Sequence, residues 1–148
     1  MKPPRDQLTV LLVQSDARRR VLLAAGLRRR GMTVVEHPCA EAALEALRTR
    51  PAPAVIVTEP AFGRLTELEL LDQIQDAAPR LVVVFTHSAD RGRLALPPDA
   101  HVLAQPFGPE QLSRFIRLVA VDPALRNPHK RQSRQTMPSA LAALGVIS

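Results

Sequence analysis

The residue best placed to do chemistry is Glu59, in the stretch "PAVIVTEPAFG" (53–63). Ala54 to Val57 and then Thr58 lead into one carboxylate, and a loop punctuated by Pro60 and Gly63 follows. An acid at the end of an apolar strand is where open α/β sheets keep their functional groups. Such a carboxylate can react, stand in for a reactive group, or cap neighbouring backbone. Gln14 and Ser15 follow another apolar run, Thr86 ends a third, and Gln105 follows a fourth. Other candidates are weaker. The single Cys39 excludes an internal disulfide and reads as a small helix-start or core residue. No Cys/His group has zinc spacing, and no glycine loop of phosphate-cradling type is present. His87 and His101 fall near different sheet ends and are not expected to share a metal, so no metal site is assigned.

The elements that must position these residues alternate in kind. "LTVLLV" (8–13), "MTVVEH" (32–37), "AVIVTE" (54–59), "LVVVFT" (81–86) and "HVLA" (101–104) are short and rich in aliphatic or β-branched residues. They read as strands, mostly buried on both faces. Helical stretches lie at about 16–30, 39–49, 66–77 and 109–120. A repeated βα pattern implies a parallel sheet covered by helices on both sides. Gly31 follows "RRR" as a helix-ending glycine. "TELE" (66–69) is a capping box between Thr66 and Glu69, and Pro109 opens the last helix. The segment 87–100, closed by Pro97 and Pro98, leaves room for only one or two helical turns around Asp90 to Leu96.

Length and apolar content, 148 residues with 46% hydrophobic, fit one domain, and no run reaches the ~18 apolar residues of a membrane helix. "MKPPRDQLTV" carries no secretory pattern, so a cytoplasmic protein is expected. Residues 1–122 hold 16 basic and 14 acidic side chains, whereas 123–148 hold Arg126, Lys130, Arg131 and Arg134 and no acid. The domain is therefore 1–122 and the tail 123–148, Pro-containing and basic, with Leu141, Leu144 and Ile147 allowing a short helix near 138–146. That tail is the electrostatic footprint through which a nucleic acid would bind. With no Trp or Tyr and four Phe, base stacking has little to work with.

Two arginine triplets, 18–20 and 28–30, flank the first helix. Eleven residues make close to three turns, so Arg18 aligns with Arg29 and Arg19 with Arg30. A solvated face is the plain expectation, and a surface for an anion or acidic partner is the sharper one. Gly26 in mid-helix costs roughly 1 kcal/mol against Ala, and its missing side chain leaves room for close approach of another backbone there.

Taken in chain order, Gln14-Ser15, Glu59, Thr86 and Gln105-Pro106-Phe107 resemble the functional positions of two-component response-regulator receiver domains, over about residues 7–120. The resemblance implies a flavodoxin-like, receiver-like three-layer α/β sandwich with a five-stranded parallel sheet and a shortened fourth helix. The family pattern has an acidic pair after strand 1, a phosphoacceptor Asp after strand 3, Thr/Ser after strand 4 and Lys-Pro after strand 5. This chain keeps Thr86, Pro106 and Phe107 but has Gln14 and Ser15 for the acids, Glu59 for the Asp and Gln105 for the Lys. Val102 stands where an aromatic switch residue is common.

An amide and a hydroxyl cannot replace two carboxylates around Mg²⁺, so Mg²⁺ binding and any cofactor are not expected. Asp16 sits one position late and is expected to cap the first helix. Glu59 is one methylene longer than Asp, and without Lys or metal the transferred group lacks charge stabilisation. The expectation is a pseudo-receiver: no enzyme, but a regulatory protein–protein interaction module. Its degenerate phosphorylation site is Gln14, Ser15, Glu59, Thr86, Gln105 and Pro106. Its interaction surface, shared with a protein partner or a homodimer, is expected at Val102, Phe107, Leu112, Phe115 and Ile116 on strand 5 and the last helix. The rivals are a nucleic-acid-associated regulator using the tail and a working phosphorelay receiver with Ser15 or Asp16 as acceptor.

Overall fold

The computed structural model describes residues 8–49, 53–60, 66–88, 96 and 100–121. The chain runs β1 (Thr9–Val13), α1 (Ala17–Arg29), β2 (Thr33–His37), α2 (Ala40–Thr49), β3 (Val55–Thr58), α3 (Glu67–Ala77), β4 (Val82–His87), β5 (His101–Ala104) and α4 (Pro109–Val121). All five expected strands and four helices form, each within about two residues of its expected bounds. The short helix expected around 90–96 and the tail from 123 onward lie outside the described residues, apart from Leu96.

The strands make one parallel sheet in the order β2-β1-β3-β4-β5. β1 lies between β2 and β3, pairing Val10 with both Val34 and Val55, and Val13 with both His37 and Thr58. Side chains alternate across the pleat. Val10 and Leu12 therefore join Leu23, Leu27, Leu112 and Ile116 beneath α1 and α4. Leu11 and Val13 join Leu44, Leu47, Leu70 and Ile74 beneath α2 and α3 on the opposite face. Two cores share one sheet, which is why the strand runs are apolar at successive residues rather than at every second one.

The ends of the helices follow local rules. Asp16 caps α1, its Oδ1 accepting from Arg19 N at 3.1 Å. Gly31 adopts φ +90° after α1, and its N–H donates to Arg28 O at 3.0 Å. Thr66 and Glu69 form the reciprocal capping box, at 3.1 and 2.8 Å. Gly26 meets the ring of Pro109, the first residue of α4, so the glycine sits where two helices come closest.

The arginine triplets depart from the expected solvated face. Arg20 and Arg28 both reach Glu36 on β2, at 3.5 and 3.0 Å, and Arg28 also donates to Val34 O. Arg19 lies over the Phe107 ring, 4.9 Å from its centroid. Arg30 folds back on Gly26 O, while its own carbonyl accepts from Arg117 of α4. The half-buried Glu36 carboxylate and the Gln14, Val34 and Gly26 carbonyls serve Arg20, Arg28 and Arg30, whereas Nε and Nη2 of Arg19 are buried with no hydrogen-bond partner among the described residues. Among the described residues, only Arg18 and Arg29 of α1 are left as plain solvent-facing cations.

Candidate functional site

With the order β2-β1-β3-β4-β5 the topological switch point falls between β1 and β3. Val13 and Thr58 are paired at the carboxyl ends of those strands, so the next residues, Gln14-Ser15 and Glu59, meet across the crevice. Ser15 N–H donates to Glu59 Oε1 at 2.9 Å, and Ser15 Oγ donates to Oε2 at 3.3 Å. Both carboxylate oxygens are thus engaged by one residue from the β1–α1 turn. Thr58 is buried and its hydroxyl turns to the Glu59 carbonyl at 3.0 Å.

The remaining site residues are brought to the same end of the sheet but do not reach the carboxylate. Gln14 is 1% exposed; its N–H donates to His37 O, and its carbonyl accepts from Arg20 Nη1 at 2.9 Å. Its side-chain Nε2 has no hydrogen-bond partner among the described residues. Thr86, on β4, is 2% exposed, and its Oγ1 likewise lacks a partner. Gln105 donates its backbone N–H to His87 O at 2.7 Å and precedes the cis Pro106. Of Ser15, Thr86 and Gln105, the polar residues gathered at this end of the sheet, Ser15 donates to the Glu59 carboxylate and the other two do not. The spacing in the sequence gave Ser15 its place in the site, but only the fold reveals that its backbone amide is the stronger half of the clamp.

These residues do not suit Mg²⁺. A hard cation needs free oxygen ligands with carboxylate charge. Gln14 is buried, both oxygens of Glu59 accept from Ser15, and Asp16 accepts from the N-terminus of α1. Among the described residues no group of three or more His, Cys, Asp or Glu side chains converges to hold a metal. His87 ends β4 and His101 begins β5, the latter edge-on to Phe115 with ring centroids 6.5 Å apart. Cys39 is exposed, and its carbonyl accepts from Ala43 N at the start of α2.

The unpartnered hydroxyl of Thr86 gives a direct test of how far the site has become structural. A buried hydroxyl without a partner costs more than a methyl of the same shape. Thr86→Val should leave stability unchanged or raise it by up to about 1 kcal/mol in urea unfolding. A loss of that size would reveal a partner for the hydroxyl.

The expected interaction surface needs correction. Leu112 and Ile116 are fully buried, pointing into the core beneath α1 and α4, and cannot line a surface. Their spacing with Val119 and Ala120 is the inward stripe of an amphipathic helix, a signal the sequence already carried. Phe107 and Phe115 are half-buried, and Val102 is exposed on β5. The exposed apolar residues of α4 are instead Leu118 and Val121. The tail cations Arg126, Lys130, Arg131 and Arg134 lie outside the described residues. No helix among the described residues is long and apolar enough to cross a membrane.

No protein-family model matches the chain, and no curated protein is similar to it. Solved structures are. A response regulator receiver protein from Sinorhizobium medicae superposes with a TM-score of 0.66 at 20% identity, covering 79% of this chain and 97% of that one. A response regulator receiver domain protein from Clostridium thermocellum gives 0.65 at 18% identity, with 77% and 94% covered. NtrX from Brucella abortus gives 0.65 at 22% identity over 92% of this chain and 32% of its own. From β1 through α4 the chain therefore has the fold of a response-regulator receiver domain.

Proposed function

We propose that the chain is a pseudo-receiver, a non-phosphorylated cytoplasmic signalling module that acts through protein–protein contact rather than through chemistry. The observation that carries this reading is the Ser15 clamp. In-line attack on phosphorus needs a carboxylate oxygen free to turn toward phosphorus and a metal or Lys to take up charge on the transferring oxygens. Here both Glu59 oxygens are engaged by Ser15, Gln105 brings no charge, and Asp16 is spent as a helix cap. A fixed Glu59 carries about one negative charge, against nearly two for a phosphate with its three acceptor oxygens. Neither Thr86 nor Gln105 is engaged by it, so Glu59 fastens the β1–α1 turn to β3 rather than mimicking a phosphorylated state.

Incubation with acetyl phosphate and Mg²⁺ should leave the intact mass unchanged. A hydroxylamine-labile gain of one phosphoryl group, lost in Glu59→Ala, would overturn the reading. The Ser15 Oγ to Glu59 Oε2 distance of 3.3 Å also places a base beside a hydroxyl. A hydroxylamine-stable gain on Ser15 would therefore identify a receiver with an unconventional acceptor instead.

A further inference from the structure

The near-balance of charge in residues 1–122 conceals a separation that the fold makes visible. α1 and α4 cover one face of the sheet, and α2 and α3 cover the other. Within their helical spans α1 and α4 carry seven arginines against the single acid Glu110. α2 and α3 carry six carboxylates, Glu41, Glu45, Glu67, Glu69, Asp72 and Asp76, against the single cation Arg48. The caps Asp16 and Arg30 cancel, and Glu36 of β2 pairs with Arg20 and Arg28, so one layer is net plus five and the opposite one net minus five.

Each layer also exposes apolar residues among its charges. On α1, Arg18, Leu22, Ala25 and Arg29 follow one stripe, with Val21 beside it; on α4, Arg114, Leu118 and Val121 follow another. Val21, Leu22, Leu118 and Val121 are between 56 and 72% exposed. On the acidic side Leu68 is 43% exposed, one turn before Asp72 on the same stripe. Apolar side chains set among like charges fit a protein surface better than a phosphate backbone, which offers them nothing to pack against.

We propose that the chain associates with copies of itself head to tail, the basic α1/α4 layer of one copy docking on the acidic α2/α3 layer of the next. The inference rests on the interaction reading above and names its partner and surface. Complementary potentials favour and orient such a contact, and like layers repel. Because the two layers lie on opposite faces of the sandwich, the contact is heterologous and does not close at two copies. A stack of any length keeps one free basic layer at one end and one free acidic layer at the other.

Sedimentation of the full chain should show an average mass that rises with concentration and passes that of a dimer at about 20 mM NaCl. It should fall back to monomer at about 0.5 M, where the Debye length is roughly 4 Å. Arg18→Gln/Leu22→Gln/Arg29→Gln should weaken association about tenfold, and so should Glu45→Gln/Leu68→Gln/Asp72→Asn. Mixed together, these two variants should form a one-to-one dimer and stop there, since each supplies the layer that the other lacks. A chain that stays monomeric at low salt overturns the proposal, as does a dimer that neither variant affects. Association lost only in the acidic-layer variant would assign that layer to another cation, the basic tail included, and overturn it too. A monomer whose Arg18/Arg29 face retains a labelled duplex DNA would give the face to a polyanion instead. Association is read without any phosphoryl donor, so its failure leaves the mass result on Glu59 standing.

Discussion

Replacing Gly26 with alanine should destabilise the chain by about 2 kcal/mol, although alanine is the better helix former by roughly 1 kcal/mol. An added Cβ would overlap both Cβ and Cγ of Pro109. Neither side can yield cheaply. The proline ring is rigid and opens α4, whose Leu112 and Ile116 are fixed in the core. The glycine lies between Leu23, Ala24 and Leu27, which fix α1 on the sheet. The two helices must separate, and the Arg117 to Arg30 carbonyl bond and the Arg19–Phe107 stack lie along the same seam. Urea unfolding measures the loss directly. Pro109→Gly should recover most of it in the Gly26→Ala background, and the coupling energy of that cycle isolates the contact. Equal losses in both backgrounds would refute the close approach.

Leu112→Ala should cost about 3 kcal/mol, a fall in midpoint temperature on the order of 10 °C for a domain of this size. Leu112 is fully buried beneath α1 and α4, and truncation leaves a cavity between α4 and the sheet. Val102→Ala, on exposed β5, should change stability by less than about 0.5 kcal/mol. The contrast separates core from surface within one stretch of about a dozen residues. If Leu112→Ala proved neutral for stability, the side chain would belong to a surface after all.

What the sequence made legible follows from how locally each feature is encoded. The strands are continuous aliphatic runs because the sheet is covered twice, and that pattern survives without tertiary information. Asp16, Gly31, the Thr66–Glu69 box and Pro109 mark helix ends through bonds that span only a few residues. The position of Glu59 at the switch point follows from strand order. Its clamp does not, because Ser15 lies 44 residues away and donates largely through its backbone. The destinations of Arg19, Arg20 and Arg28 are equally non-local: Phe107, Glu36 and Val34 come from other elements. Leu112 and Ile116 are legible as an inward stripe from their spacing with Val119 and Ala120, which places them in the core rather than on an interaction surface. The charge separation could not be seen at all from composition, since the sum runs over both faces of the sheet.

The Ser15–Glu59 clamp also bears on how this crevice could change over generations. An acidic pair at positions 14 and 15 would bring new carboxylates up to Glu59, which would lose the Ser15 hydroxyl as a donor and keep only the backbone amide. Shortening Glu59 to Asp alone would release the Ser15 amide without providing any cation to take up charge. Lysine at Gln105 alone would bring a cation but no second carboxylate to hold a metal. The changes at positions 15 and 59 disturb an existing hydrogen bond, and none of these changes alone supplies both a freed carboxylate and a cation to balance the transferred group. On the proposed reading, the two bonds that hold the β1–α1 turn against β3 leave no single substitution in this crevice sufficient to make it reactive.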